Sequence, residues 1–193
     1  MKKIGLDDIQ GLAAYEKIRE EFRREIIEHK KTRRVAVGER VTLVFENRKT
    51  VIFQIQEMLR AERITDLDKI REEVEVYNGL IPDRGQLSAT LLLEIEDQTH
   101  LREELLKFLG IDEALFLQVG DRPPVQARFE EGRSREDKIS AVQYVRFHLE
   151  PDHIKAMADK RDPTRLVVDH PNYKAETILE PETQQSLAED LIA

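Results

Sequence analysis

The chain has 193 residues, 40% of them hydrophobic, which is enough to bury a proper core, and it is read as one α+β domain over 1–193. It has no cysteine, so disulfides, thiolate nucleophiles and the usual iron–sulfur and structural-zinc ligands are excluded, and any metal would sit on His, Asp or Glu. Thirty-nine acids against 31 Lys and Arg give a net charge of -8, which argues against a general nucleic-acid or anionic-membrane surface.

MKKIGLDDIQ carries no apolar leader-like run, and no stretch approaches the roughly 18 to 20 apolar residues of a membrane span, so a soluble cytoplasmic protein is expected. From about residue 7 to 31, Leu12, Tyr15, Ile18, Phe22 and Ile26 recur at spacings of three and four. That periodicity predicts a long amphipathic helix, with Asp7 and Asp8 at its start and His29, Lys30 and Lys31 at its end. Arg19 falls inside the apolar stripe and needs a partner there.

RRVAVGERVTLVFE predicts a strand over about 40 to 46, with a shorter one before Gly38 in a hairpin. Asn47 then caps a helix, FENRKTVIFQIQEMLRAER, running to about Arg63. Asp66 caps a third helix, which closes near Gly79 and Pro82. QLSATLLLEIED has one apolar face, Leu87, Ala89, Leu91, Leu93 and Ile95, and reads as a central strand. HLREELLKFLG predicts a fourth helix stopped at Gly110.

ALFLQVG and PVQARFEE are two short strands, and a charged loop, EEGRSREDK, separates them from the strand SAVQYVRFHL. In that strand Val145, Phe147 and Leu149 should face the core, with Tyr144 and Arg146 opposite. PDHIKAMAD is a short helix, TRLVVDH a strand, and PETQQSLAEDLI a terminal helix opened by Pro181. The mixture lacks regular βα alternation. It predicts a mostly antiparallel sheet of five or six strands, strand-rich over about 111–193, with a helical part, about 1–110, packed on it.

The candidate chemistry lies mainly on the second helix. Thr50, Gln54 and Glu57 gather beside the apolar arc of Val51, Ile52, Ile55, Met58 and Leu59, while Lys49, Gln56, Arg60 and Arg63 form a separate basic side. With Ser88, Thr90 and Glu94 on the facing strand, this patch could bind a small ligand or let Glu57 act as a base. The structural alternative pairs Glu57 with Arg19, Gln54 and Thr50 adding hydrogen bonds.

His148, Asp152, His153 and His170 are weak metal candidates, since the 148–153 spacing crosses Pro151 and is not one helical face, so no metal is favoured and no cofactor is expected. KKTRR, Lys30 to Arg34, is the strongest basic run; with no aromatic residue interleaved it reads as a helix end entering a strand, and nucleic acid is not expected as a partner. Phosphate-loop, dinucleotide, zinc-protease and nucleophile-elbow motifs are missing.

Through FENRKTVIFQIQEMLRAER, YNGLIP, LSATLLLE and LVVDHPNY, in this order, the chain resembles an uncharacterised bacterial family catalogued as a domain of unknown function. Proteins that look like this are expected to be encoded near rubrerythrin-like and iron–sulfur oxidoreductase proteins. The resemblance therefore implies a cytoplasmic accessory or binding protein that partners an iron–sulfur or di-iron redox system, and it carries over no catalytic residue. An enzyme or ligand binder built around Glu57 is the alternative, and the oligomeric state stays open.

Overall fold

The structure is a computed structural model that describes residues 1–97, 99–130, 132, 134–135, 138–159 and 162–192. It is α+β, with antiparallel sheets and the helices α1 (Leu12–Lys31), α2 (Arg48–Glu62) and α3 (Leu67–Asn78) in the N-terminal half. The first sheet runs β1 (Arg34–Val37), β2 (Val41–Glu46), β3 (Gln86–Leu93), β9 (Val142–His148), β6 (Arg128–Phe129). A second sheet of four strands was not foreseen: β11 (Tyr173–Ile178), β10 (Thr164–His170), β4 (Leu115–Val119), β5 (Val125–Gln126). β7 (Ser134–Arg135) and β8 (Lys138–Ile139) form a small hairpin within the stretch read as a charged loop, parts of which lie outside the described residues.

The main core lies between the two sheets. Leu43, Phe45, Leu87, Ala89, Leu91, Val145 and Phe147 from the first meet Leu115, Leu117, Leu166 and Val168 from the second, and beyond the short α4 (Leu101–Leu106) the helices α5 (Pro151–Asp159) and α6 (Pro181–Ile192) add Met157, Leu187 and Leu191. Because strand side chains alternate, Glu46, Ser88, Thr90, Tyr144, Arg146 and His148 are sent to the other face of the first sheet. There a smaller core of Val51, Ile55, Leu59, Val74 and Ile81 packs α2 and α3. α1 lies against α2, with Phe22 set edge-on to Phe53 at 5.7 Å between ring centres.

PVQARFEE does not form one strand. Val125 and Gln126 pair with β4 in one sheet, and Arg128 and Phe129 pair with β9 in the other, with the buried Ala127 at the crossing. The chain therefore crosses from the second sheet to the edge of the first, where Arg128 joins the outer, helix-covered face.

Three local expectations need correction. α1 begins at Leu12 after Gly11, and Asp7 and Asp8 belong to a separate single turn, Leu6–Asp8, where Asp8 pairs with Arg48 at 2.5 Å. Ile18, placed in the apolar stripe, is 45% exposed. Gln56, read as part of a basic side, is buried, accepting from Gln10 N at 2.6 Å and donating to Gln10 O at 3.1 Å. Those bonds fasten the segment before α1 onto α2.

Candidate functional site

Asn47 starts α2 by accepting hydrogen bonds from the backbone N–H groups of Lys49 and Thr50, and Thr50 Oγ1 accepts from Asn47 N at 3.0 Å. This cap sets the rotation of the helix. Thr50 and Gln54 then look down onto the end of β2, where the carboxylate of Glu46 is only 3% exposed. Thr50 donates to Glu46 Oε2 at 2.5 Å and Gln54 at 2.8 Å, while Thr90 from β3 donates to Oε1 at 2.7 Å. The polar residues of α2 therefore serve Glu46, a carboxylate that the helix periodicity did not reveal, and not Glu57.

Glu57 lies on a different flank of α2. Arg19 grips it with two parallel bonds, Nε to Oε1 and Nη2 to Oε2, both 2.8 Å, and the buried Tyr15 donates its hydroxyl to Oε1 at 2.7 Å. The Arg19 guanidinium holds the Glu57 carboxyl below its ordinary range, with Tyr15 acting in the same sense. Burial and the same carboxylate push the Tyr15 phenol upward. Both oxygens of Glu57 are engaged, so it acts as a clamp between α1 and α2 and is not a free base.

Glu94 is likewise elsewhere: it is exposed and pairs with Arg34 at 2.7 Å. The basic run is dispersed in the same way. Arg33 is 1% exposed and pairs with Asp190 of α6, while donating to Ser186 at 2.8 Å and to Phe45 O at 3.0 Å.

The histidines serve separate local roles. His153 Nε2 donates to Pro123 O at 3.0 Å and His170 Nε2 to Leu109 O at 2.7 Å, on α5 and at the end of β10, whereas His148 closes β9 in the other sheet. Among the described residues no three His, Asp or Glu side chains gather as metal ligands.

What the fold does assemble is a cleft of about 520 Å³ between α3 and the outer face of the first sheet. One wall is apolar: Val76, Tyr77 and Leu80 of α3 and its C-terminal turn, with Phe129 on the sheet side. The floor is polar: Ser88, Tyr144, Arg146 and His148, with Arg128 at the sheet edge. Arg146 donates to Gly79 O, one of the carbonyls left open at the end of α3, and to Gln86 Oε1 at 3.2 Å. It thereby fixes the distance between wall and floor.

Ser88 is 3% exposed and lines the cleft. Of the sequence candidates, then, Ser88 and His148 line the cleft and Thr90 lies beside it. Arg128, Tyr144 and Tyr77 were missed as site residues. The alternation that put Tyr144 and Arg146 on one face was the available signal, but what covers that face was not legible.

A smaller hollow of about 280 Å³ between α1 and α2 is lined by Tyr15, Phe22, Ile52 and Gln56 with the acids Asp8, Glu21 and Glu25 at its rim. No helix among the described residues is long and apolar enough to cross a membrane.

No curated protein matches the chain. A solved structure does: a novel protein of unknown function from Burkholderia pseudomallei, determined at 1.90 Å, is 36% identical, covers 98% of this chain and 100% of its own, and superposes with a TM-score of 0.92. A fold and sequence so alike over the full length accord with the family comparison, in which residues 3–191 match one model, and the chain belongs to the family described as protein of unknown function (DUF3501).

Proposed function

We propose that the protein is a binding protein that holds a small molecule in the cleft between α3 and β9. The carrying observation is the cleft itself: its volume falls in the range of ligand sites, and an apolar wall faces a few convergent polar groups, among them Ser88, Tyr144, Arg146 and His148. Glu57 gives no support to catalysis, because Arg19 and Tyr15 occupy it.

For the setting of this binding we carry forward the accessory role beside an iron–sulfur or di-iron redox system that the family resemblance implies. With no cysteine in this chain, a thiolate-held cluster in such a system would belong to its partner.

The test is ligand-observed and protein-observed NMR with a library of small molecules. Binders should shift resonances of Tyr77, Ser88, Tyr144 and His148 together, and Val76→Trp, which fills the mouth of the cleft from an exposed position, should weaken those binders. A library that shifts none of these resonances would remove the proposal.

A further inference from the structure

The strand register sets Arg128 of β6 directly opposite Arg146 of β9. Like charges in directly opposed positions of an antiparallel pair repel, so this pairing costs stability in the empty protein unless something negative lies between them. Arg146 is held by Gly79 O and Gln86, but Arg128 is exposed and has neither a hydrogen bond nor an ion pair among the described residues. His148 follows on the same face two residues beyond Arg146. Burial, and then the charges of Arg128 and Arg146, hold its imidazole below the ordinary range, so the two guanidiniums share one end of the cleft with a neutral imidazole that can still hydrogen-bond.

The other end is different. Glu73 and Glu130 line it, beside Tyr77 and Tyr144, and Tyr77 feels the charge of Glu73. The cleft is therefore bipolar along its length, with an apolar flank running between the ends. Val76, at 72% exposure, leaves that flank open to an apolar group at the mouth of the cleft.

We propose, resting on the binding role above, that the ligand is a small organic anion, bound in one direction: its charged group lies between Arg128 and Arg146 beside His148 and Ser88, and its apolar body lies along Val76, Tyr77 and Leu80. A guanidinium pair matches the planar or tetrahedral oxygens of a carboxylate, sulfonate or phosphate, and gains most where one of the two arginines has no internal partner. The Glu73 carboxylate at the far end repels a second negative charge, so a compound with anions at both ends is disfavoured.

The probes are anilinonaphthalene sulfonate and the neutral phenylnaphthylamine, which share an arylamine-substituted naphthalene body and differ in the anionic group. Both are titrated by fluorescence into wild type, Arg128→Gln and a control, Arg24→Gln on the exposed side of α1, with each protein first shown to unfold cooperatively. The expected result is that wild type binds the sulfonate about tenfold more tightly than the neutral probe, and that Arg128→Gln removes that difference while Arg24→Gln keeps it.

If both probes bind equally and Arg128→Gln changes neither, the anion assignment is overturned while the cleft remains a binding site. If Arg24→Gln lowers sulfonate affinity as much as Arg128→Gln does, general charge attraction is responsible and the assignment is again overturned. If neither probe binds any of the proteins, the anion assignment and the binding role fall together.

Discussion

Replacing Glu57 by alanine removes a clamp with two different partners, and the cost can be worked from each. The Arg19–Glu57 pair is bidentate, with side-chain exposures of 21% and 29%. It thus lies between a surface pair, about 0–1 kcal/mol, and a buried pair broken on one side, about 3–5 kcal/mol. Tyr15 is fully buried and loses the acceptor of its hydroxyl, a penalty of about 1–3 kcal/mol.

Together these put Glu57→Ala at about 2–4 kcal/mol below wild type after discounting the pair for its exposure. Urea melts followed by far-UV dichroism would measure this as a lower midpoint with an unchanged m value. Arg19→Met with Glu57→Leu should recover about half of the loss, since the Tyr15 hydroxyl remains orphaned, and adding Tyr15→Phe should recover most of the rest. A Glu57→Ala midpoint within about 0.5 kcal/mol of wild type, the behaviour of a featureless surface site, would refute the clamp.

The same residue predicts an acid limit. Glu57 is held below its ordinary value of 4.5, so its contribution is complete above that pH and is lost as pH falls further through the folded-state value; stability measured from pH 6 to pH 3 should fall less steeply in Glu57→Gln. Arg33→Met leaves Asp190 buried without its cation and should cost about 3–5 kcal/mol, whereas Arg33→Met with Asp190→Leu should return much of it, a double-mutant melt being the check. Glu46→Gln, which offers one acceptor oxygen and a competing amide to three donors, should cost about 1–3 kcal/mol by thermal or urea melting, and an unchanged midpoint would show that Thr50, Gln54 and Thr90 find other acceptors. Gly38→Ala should destabilise through two effects: the residue has a φ of +69°, and a Cβ there would run into the Tyr173 hydroxyl that donates to Val37 O at 2.6 Å across the two sheets.

Local signals carried the elements. Asn47 and Asp66 cap the helices they were expected to cap, and β3 lies between β2 and β9 as its apolar face required. Val145, Phe147 and Leu149 are buried, with Tyr144 and Arg146 on the opposite side. These features depend on spacing within one segment, where a period of 2 or 3.6 is written directly in the residues. β11 escaped notice because YKAETI interleaves Lys and Glu with its half-buried positions, so that no face of it is plainly apolar.

The candidate site obeyed a different rule. Angular position on α2 showed that Thr50, Gln54 and Glu57 were near neighbours, but could not say which carboxylate each would meet. That depended on β2 delivering Glu46 under the helix and on α1 delivering Arg19 and Tyr15 to its flank. Arg33 and Asp190 are 157 residues apart, and neither segment carries any mark of the other. The cleft is still less local: its cationic end needs the two-residue β6, the register that opposes Arg128 to Arg146, and a helix from the other half of the chain to roof them. The sequence by itself determined most of the helices and strands and which of their side chains share a face, because backbone geometry repeats over a few residues. Only the tertiary structure decided which charges pair and which stay open for a ligand, because side-chain partners are set by strand register and helix packing between segments that no periodicity connects.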